Sequence, residues 1–166
     1  MGTGKTVTAK ALAKRLRMHY ISIDDLIEKK ENKKISEIFA KYGEEYFRKV
    51  ESDVIKEASQ NKNVVIDAGG GAVIKEENIK NLKKNGIIIC LTATPDAVIE
   101  RTKNEKQRPL LNVEDPKEKI KELLASRAKY YAKADFTVDT SELTIDEVVR
   151  KIEDVVLTKP LSDNII

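Results

Sequence analysis

Tryptophan is absent from this chain, and histidine and cysteine occur once each. A single cysteine cannot close an internal disulfide, so no disulfide framework holds the fold, and a reducing cytoplasm is the default setting. Cys90 lies in an apolar run and reads as a buried strand thiol. His19 has no acid–base partner near it in sequence and reads as structural or surface. No stretch is long and apolar enough to span a membrane, and no signal peptide is visible, so no membrane role is expected. Charge of one sign is also lacking. The 31 basic and 28 acidic residues are mixed along the chain and leave a net charge of +3. That balance argues against nucleic-acid binding, yet it leaves room for a pocket in which a few arginines hold an anionic small molecule. What remains is 166 residues with 40% hydrophobic and 36% charged content. This suits one soluble domain with a substantial core.

Helical and extended patterns alternate. Ala9, Leu12, Ala13 and Leu16 repeat with helical spacing, which predicts a helix over 6–17. Tyr20-Ile21-Ser22-Ile23 predicts a short strand, and acids in the following turn suit a helix over 24–30. Helices are predicted over 36–42, stopping at Gly43, and over 44–60. Val64-Val65-Ile66 reads as a buried strand running into Asp67-Ala68-Gly69-Gly70-Gly71. A helix over 76–84, an all-apolar strand over 87–91 and a helix over 95–103 follow. Residues 104–114 lack periodicity and read as a loop; Asp115-Pro116 then opens a helix reaching about Lys133. A last strand at 136–138, a helix over 145–156 and a tail over 159–166 complete the chain. The fold class is therefore α/β, a parallel sheet with both faces covered by helices.

The chemistry concentrates at strand ends and at the amino terminus. Gly2-Thr3-Gly4-Lys5-Thr6 is the end of the pattern G-x-x-x-x-G-K-[ST], whose first glycine would fall two places before Met1. Glycines let backbone N–H groups line a concave anion site, and the helix behind adds its positive end. Lys5 can reach the terminal phosphates and the Thr6 hydroxyl can ligate Mg²⁺. A strand is required upstream of such a loop, making a fifth. Asp24 and Asp67 both follow predicted strands, so both face the crevice beyond the carboxyl ends of the sheet. Asp67 reads as a metal-shell acid. Asp24 could orient or deprotonate a hydroxyl, the plain alternative being a helix N-cap. Three consecutive glycines, Gly69, Gly70 and Gly71, suggest a close backbone approach to a ligand rather than a simple turn. Arg127 falls on the apolar stripe of Ile120, Leu123, Leu124 and Tyr131, where a guanidinium needs an anion, either an internal carboxylate or a ligand. Arg48 alone reads as a solvated helix arginine. Arg108, in Arg108-Pro109-Leu110-Leu111, could be carried to a phosphoryl group by a closing loop.

Taken in order, these motifs resemble the shikimate kinase family, over nearly the whole chain from Met1 to about Arg150. The segments concerned are Met1 to Thr6, Ile23-Asp24-Asp25 with Ile27-Glu28, Gly43-Glu44-Glu45 with Phe47-Arg48 and Glu51, Gly69 to Ala72, Arg108 to Leu111, Arg127 with Tyr130, and Val138-Asp139-Thr140. The resemblance implies a P-loop kinase-like three-layer fold with a central parallel sheet of five strands, the first lying upstream of this chain. It implies a single domain over 1–158 with a lid at about 104–115. It also implies ATP- and Mg²⁺-dependent phosphorylation of the 3-hydroxyl of shikimate in aromatic amino-acid biosynthesis, by a cytoplasmic monomer. Asp24 then corresponds to the substrate-binding aspartate and base, and Arg48 and Arg127 to the arginines that hold the shikimate carboxylate. Gly69, Gly70 and Gly71 correspond to substrate-contacting glycines, Arg101 to an arginine near adenine, and Arg108 to the lid arginine. The segment after Thr140 would also lie near adenine.

Two departures stand out. Many members have Asp-x-Asp where this chain has Ser22-Ile23-Asp24, and Asp67 is the candidate to replace the missing metal-shell acid. The absent first strand would lie between the strands ending at Asp67 and Leu91. Its loss would strand backbone groups in the core at about 1–3 kcal/mol each, so a chain beginning at Met1 is expected to be less stable than one extended upstream. Two other readings stay open: a related kinase acting on gluconate or a nucleoside monophosphate, and a non-catalytic nucleotide-binding relative. The arginine pair with the glycine triplet favours a carboxylate-bearing polyol, and Arg108-Pro109-Leu110-Leu111 favours shikimate over gluconate.

Overall fold

The computed structural model describes residues 2–102, 116–158 and 164–165. Strands and helices alternate as the pattern predicts. Helix α1 (Lys5–Leu16) leads to β1 (His19–Ser22), α2 (Ile23–Glu31) and α3 (Ile35–Ala58). Then come β2 (Val64–Asp67), a short 3₁₀ turn (Ala72–Ile74), α4 (Glu76–Asn85), β3 (Gly86–Ile87), β4 (Ile89–Thr92) and α5 (Pro95–Thr102). The chain closes with α6 (Pro116–Tyr131), β5 (Phe136–Asp139), α7 (Ile145–Thr158) and β6 (Asn164–Ile165). The two helices expected around Gly43 are two arms of α3. Gly43 sits between them at φ 80° and ψ 176°, a conformation that breaks the helical ladder and that side-chain-bearing residues avoid. The lid at 104–115 and Arg108 within it lie outside the described residues.

All described strand pairs are parallel. β1 lies beside β2, with Ser22 opposite Asp67, and β4 lies beside β5. The ladders form a four-stranded sheet in the order β1-β2-β6-β3 and a two-stranded sheet β4-β5, and only Ile88 separates β3 of the first from β4 of the second. Val64 and Ile66 face one layer, packing with Ile23, Ile27, Val54 and Ile55 of α2 and α3. Val65 faces the other, packing with Leu12 and Ala13 of α1 and Val148, Val149 and Ile152 of α7. Alternation along a doubly covered strand produces this three-layer arrangement directly. Among the described residues, no helix is long and apolar enough to cross a membrane.

The sequence reading left a vacant line between β2 and β4. The structure fills part of it with residues read as a tail. Asn164 and Ile165 pair with Val64 and Val65 on one side and with Gly86 and Ile87 on the other. Ile165 is buried in the α1–α7 layer. The physical reason is the one that made a vacancy costly: buried backbone donors and acceptors take partners where the chain can supply them. Among the described residues this ladder ends at Ile165. There β2 and β4 flank a cavity of about 130 Å³, lined by Ile66, Asp67, Cys90 and Leu91.

Candidate active site

The phosphate loop is built by packing as much as by its glycines. Gly4 has φ 81° and directly precedes α1, whose amino end carries no side-chain cap. The amides of its first turn are therefore available to an anion. A methyl group at Gly2 would lie 2.8 Å from Val98 Cγ1 and 3.1 Å from Thr102 Cγ2, so α5 is the wall behind the loop. Thr3 is buried, Lys5 half-buried and Thr6 exposed. Arg101, expected near adenine, donates from Nη1 to Thr140 Oγ1 at 3.0 Å and from Nη2 to the Thr140 and Ser141 carbonyls. It therefore ties α5 to the turn after β5.

Asp24 and Asp67 converge as the strand ends require. The cap of α2 is Ser22, whose Oγ accepts from Asp25 N at 3.1 Å, so Asp24 is left for the cleft. Ser22, where the resemblance leads one to expect an acid, thus serves the helix end. Asp24 is exposed as a residue, while protein forms walls about its carboxyl. Desolvation by those walls, and then the charge of Asp67, hold its carboxyl above the ordinary range, while the Lys5 ammonium opposes them. Asp67 accepts a hydrogen bond from Tyr20 Oη at 3.2 Å. Burial, with the neighbouring Asp67 charge, pushes the Tyr20 phenol up to about 12, so it stays a donor at neutral pH.

The glycine triplet threads between the remaining candidates. A methyl group at Gly69 would lie 3.7 Å from Asp24 Oδ1 and 3.9 Å from Glu51 Oε1. At Gly70 it would lie 3.0 Å from Tyr131 Oη and 3.6 Å from Arg127 Nη1. At Gly71 it would lie 2.5 Å from Arg48 Nη1. None of the three has a positive φ; the tight approaches are at Gly70 and Gly71, to the Tyr131 hydroxyl and the Arg48 guanidinium, whereas a methyl group at Gly69 would make only ordinary contacts. Tyr131 Oη donates to the Gly70 carbonyl at 3.2 Å, and buried Asn78 donates to the Ala72 carbonyl at 2.8 Å, which fixes the loop.

Arg48 departs from its reading as a solvated arginine. Its side chain is 16% exposed, and it donates to Glu51 Oε2 at 2.7 Å and from Nε and Nη2 to Glu44 Oε1. Three of its five N–H groups are engaged in these bonds, and two remain for another anion. Glu51, given no role in the sequence reading, is 2% exposed. Burial holds its carboxyl above the ordinary range, against the pull of Arg48. The signal was present in sequence: Glu51 lies four residues from Phe47 and three from Val54, on the buried face of α3. Arg127 is half-buried on α6, and among the described residues it has no carboxylate partner. The internal ion pair weighed as its plain alternative is thus not seen there.

With this geometry in hand, the likeness to known proteins is specific. A family model described as shikimate kinase matches residues 1–157. A shikimate kinase of Thermodesulfovibrio yellowstonii is 49% identical over 152 residues, covering 92% of this chain and 88% of that protein. One from Caldanaerobacter subterraneus is 47% identical, covering 92% and 89%. Among solved structures, a shikimate kinase from Acinetobacter baumannii in complex with shikimate has a TM-score of 0.89 at 35% identity, covering 97% of this chain and 90% of that one. The Aquifex aeolicus shikimate kinase has a TM-score of 0.81 at 36% identity, covering 95% and 92%. The three layers described above are the P-loop kinase fold of these neighbours, and the chain belongs to the shikimate kinase family.

Proposed function

We propose that this protein transfers the γ-phosphoryl group of ATP to the 3-hydroxyl of shikimate. The observation that carries the reading is the placement of two guanidinium groups along the Gly69–Gly71 backbone, Arg127 next to Gly70 and Arg48 next to Gly71, with Asp24 next to Gly69. A carboxylate-bearing polyol meets all of them at once: its carboxylate takes the free N–H groups of the arginines, and its hydroxyls reach Asp24. Family membership supports the same assignment.

In the proposed reaction the shikimate hydroxyl oxygen attacks the γ-phosphorus in line. The bond to the β–γ bridging oxygen breaks, ADP leaves, and the hydroxyl proton passes to Asp24. The raised carboxyl suits this role, because a base closer to neutrality accepts the proton with a smaller penalty. Lys5, the loop amides and the amino end of α1 offset the phosphate charge. Arg108 would add to them from the lid. The rest of the acceleration is positioning. The proposed metal is Mg²⁺. Thr6 and Asp67 offer the hard oxygen donors it prefers, and among the described residues no cluster of three or more His, Cys, Asp or Glu could hold a metal. Held at Thr6 and Asp67, the ion would neutralise charge on the transferring group.

The test is ADP release by purified protein given ATP, Mg²⁺ and either shikimate or gluconate. Release is expected with shikimate alone. Equal release with gluconate, or none with shikimate, would overturn the assignment.

A further inference from the structure

We infer that Thr140 is a positioning residue for nucleotide binding, acting by orienting one peptide of the phosphate loop; this rests on the reading of Gly2–Thr6 as that loop. Thr140 ends up buried, 2% exposed, just past β5. Its hydroxyl meets three elements. It donates towards the Thr3 carbonyl at 3.2 Å and the Thr92 carbonyl at 3.0 Å, and it accepts from Arg101 Nη1 at 3.0 Å.

The hydroxyl has one proton. Arg101 occupies a lone pair, so that proton points away from α5 and towards the two carbonyls. The Thr92 carbonyl already receives Thr140 N–H at 2.9 Å. The Thr3 carbonyl is the buried acceptor that gains most from the hydroxyl, and the guanidinium on the oxygen strengthens that donation.

The consequence lies on the other side of the Thr3–Gly4 peptide. A trans peptide is planar, and its C=O and N–H point in opposite directions. Fixing the Thr3 carbonyl inward on Thr140 aims the Gly4 N–H outward, into the concave side where phosphate oxygens bind. Without the tie little opposes rotation of this peptide. It is followed by Gly4 at φ 81°, and glycine tolerates either orientation. Thr140 therefore acts on the phosphates through Thr3 and Gly4, touching neither nucleotide nor shikimate.

The test compares Thr140→Ser, Thr140→Ala and Thr140→Val by calorimetric titration with ADP, adenosine and shikimate. ADP affinity is expected to fall about tenfold in the Ala and Val variants, the loss of one amide bond to a charged oxygen. It should stay near wild type in T140S. Adenosine affinity should fall less than ADP affinity, and shikimate affinity should not change. Should T140V fail to fold, the Ser–Ala pair isolates the hydroxyl. Unchanged ADP affinity in T140A, equal losses in T140S and T140A, or parallel losses for ADP and shikimate would each overturn the inference. Failure of the underlying loop reading would show separately, as undiminished turnover in Lys5→Met.

Discussion

Removing β6 is the perturbation that most sharply probes how this sheet is completed. Ile165 is 3% exposed and packs with Leu12, Val65, Val138, Val149 and Ile152. Truncating a fully packed isoleucine to alanine costs about 2–5 kcal/mol. Ile165 borders the cavity above it, so its packing is incomplete on one side and the low end applies. Ile165→Ala should therefore cost about 2 kcal/mol, which for a domain of this size lowers the melting temperature by about 4–8 °C. Deleting residues 159–166 removes the same side chain and also the main-chain partners of Val64, Val65, Gly86 and Ile87. Each buried group left unpaired adds about 1–3 kcal/mol. Even with water entering the gap, the deletion should lower the midpoint by roughly 10 °C or more. Circular dichroism melts of the three proteins decide the matter. A deletion that melts within about 2 °C of its parent would show that β6 contributes nothing and refute the reasoning.

Other expectations follow from single side chains. Gly71→Ala places a methyl group 2.5 Å from Arg48 Nη1, so the guanidinium must move; the shikimate KM should rise about tenfold with the ATP KM little changed, and an unaltered shikimate KM would count against the geometry. Asp67→Asn should weaken Mg²⁺ dependence and turnover far more than Ser22→Ala, whose main effect is loss of the α2 cap at about 1 kcal/mol of stability; equal small effects on Mg²⁺ dependence would remove Asp67 from the metal shell. Glu51, held above the ordinary range by burial, favours the folded state while protonated. That contribution is present below the unfolded value of about 4.3 and is lost as pH rises through the higher folded one, so E51Q should gain in melting temperature on wild type from about pH 4 towards neutrality. A gap that does not vary with pH contradicts this.

The strand ends, the phosphate loop and the layer order were legible because each rests on local chemistry. Val64-Val65-Ile66 is apolar on both faces, and its next residue, Asp67, had to emerge at the crevice. Arg127 was legible as an anomaly, a cation on an apolar stripe. Arg48 was not, because a helix arginine with acids three and four residues away looks like a surface pair until the glycine loop is laid against it. Glu51 was legible only through its spacing with Phe47 and Val54 on the buried face of α3, a weaker signal than its likeness to half of a surface pair. β6 was hidden because its position is set by partners far away in sequence, and two residues carry no periodicity. The Ser22 departure was visible as a lost acid, while its use as a cap needed the backbone of α2.

The central claim is that Arg48 and Arg127 recognise a carboxylate beside Asp24. Its most direct measurement is a cycle of binding affinities for wild type and Arg127→Ala, each with shikimate and with an analogue whose carboxylate is replaced by a hydroxymethyl group. Wild type should bind shikimate about 10- to 100-fold more tightly than either the variant binds shikimate or wild type binds the analogue, as expected for a charged hydrogen-bonded pair. The variant should discriminate much less between the two ligands. Full additivity, with R127A weakening both ligands by the same factor, would contradict the account.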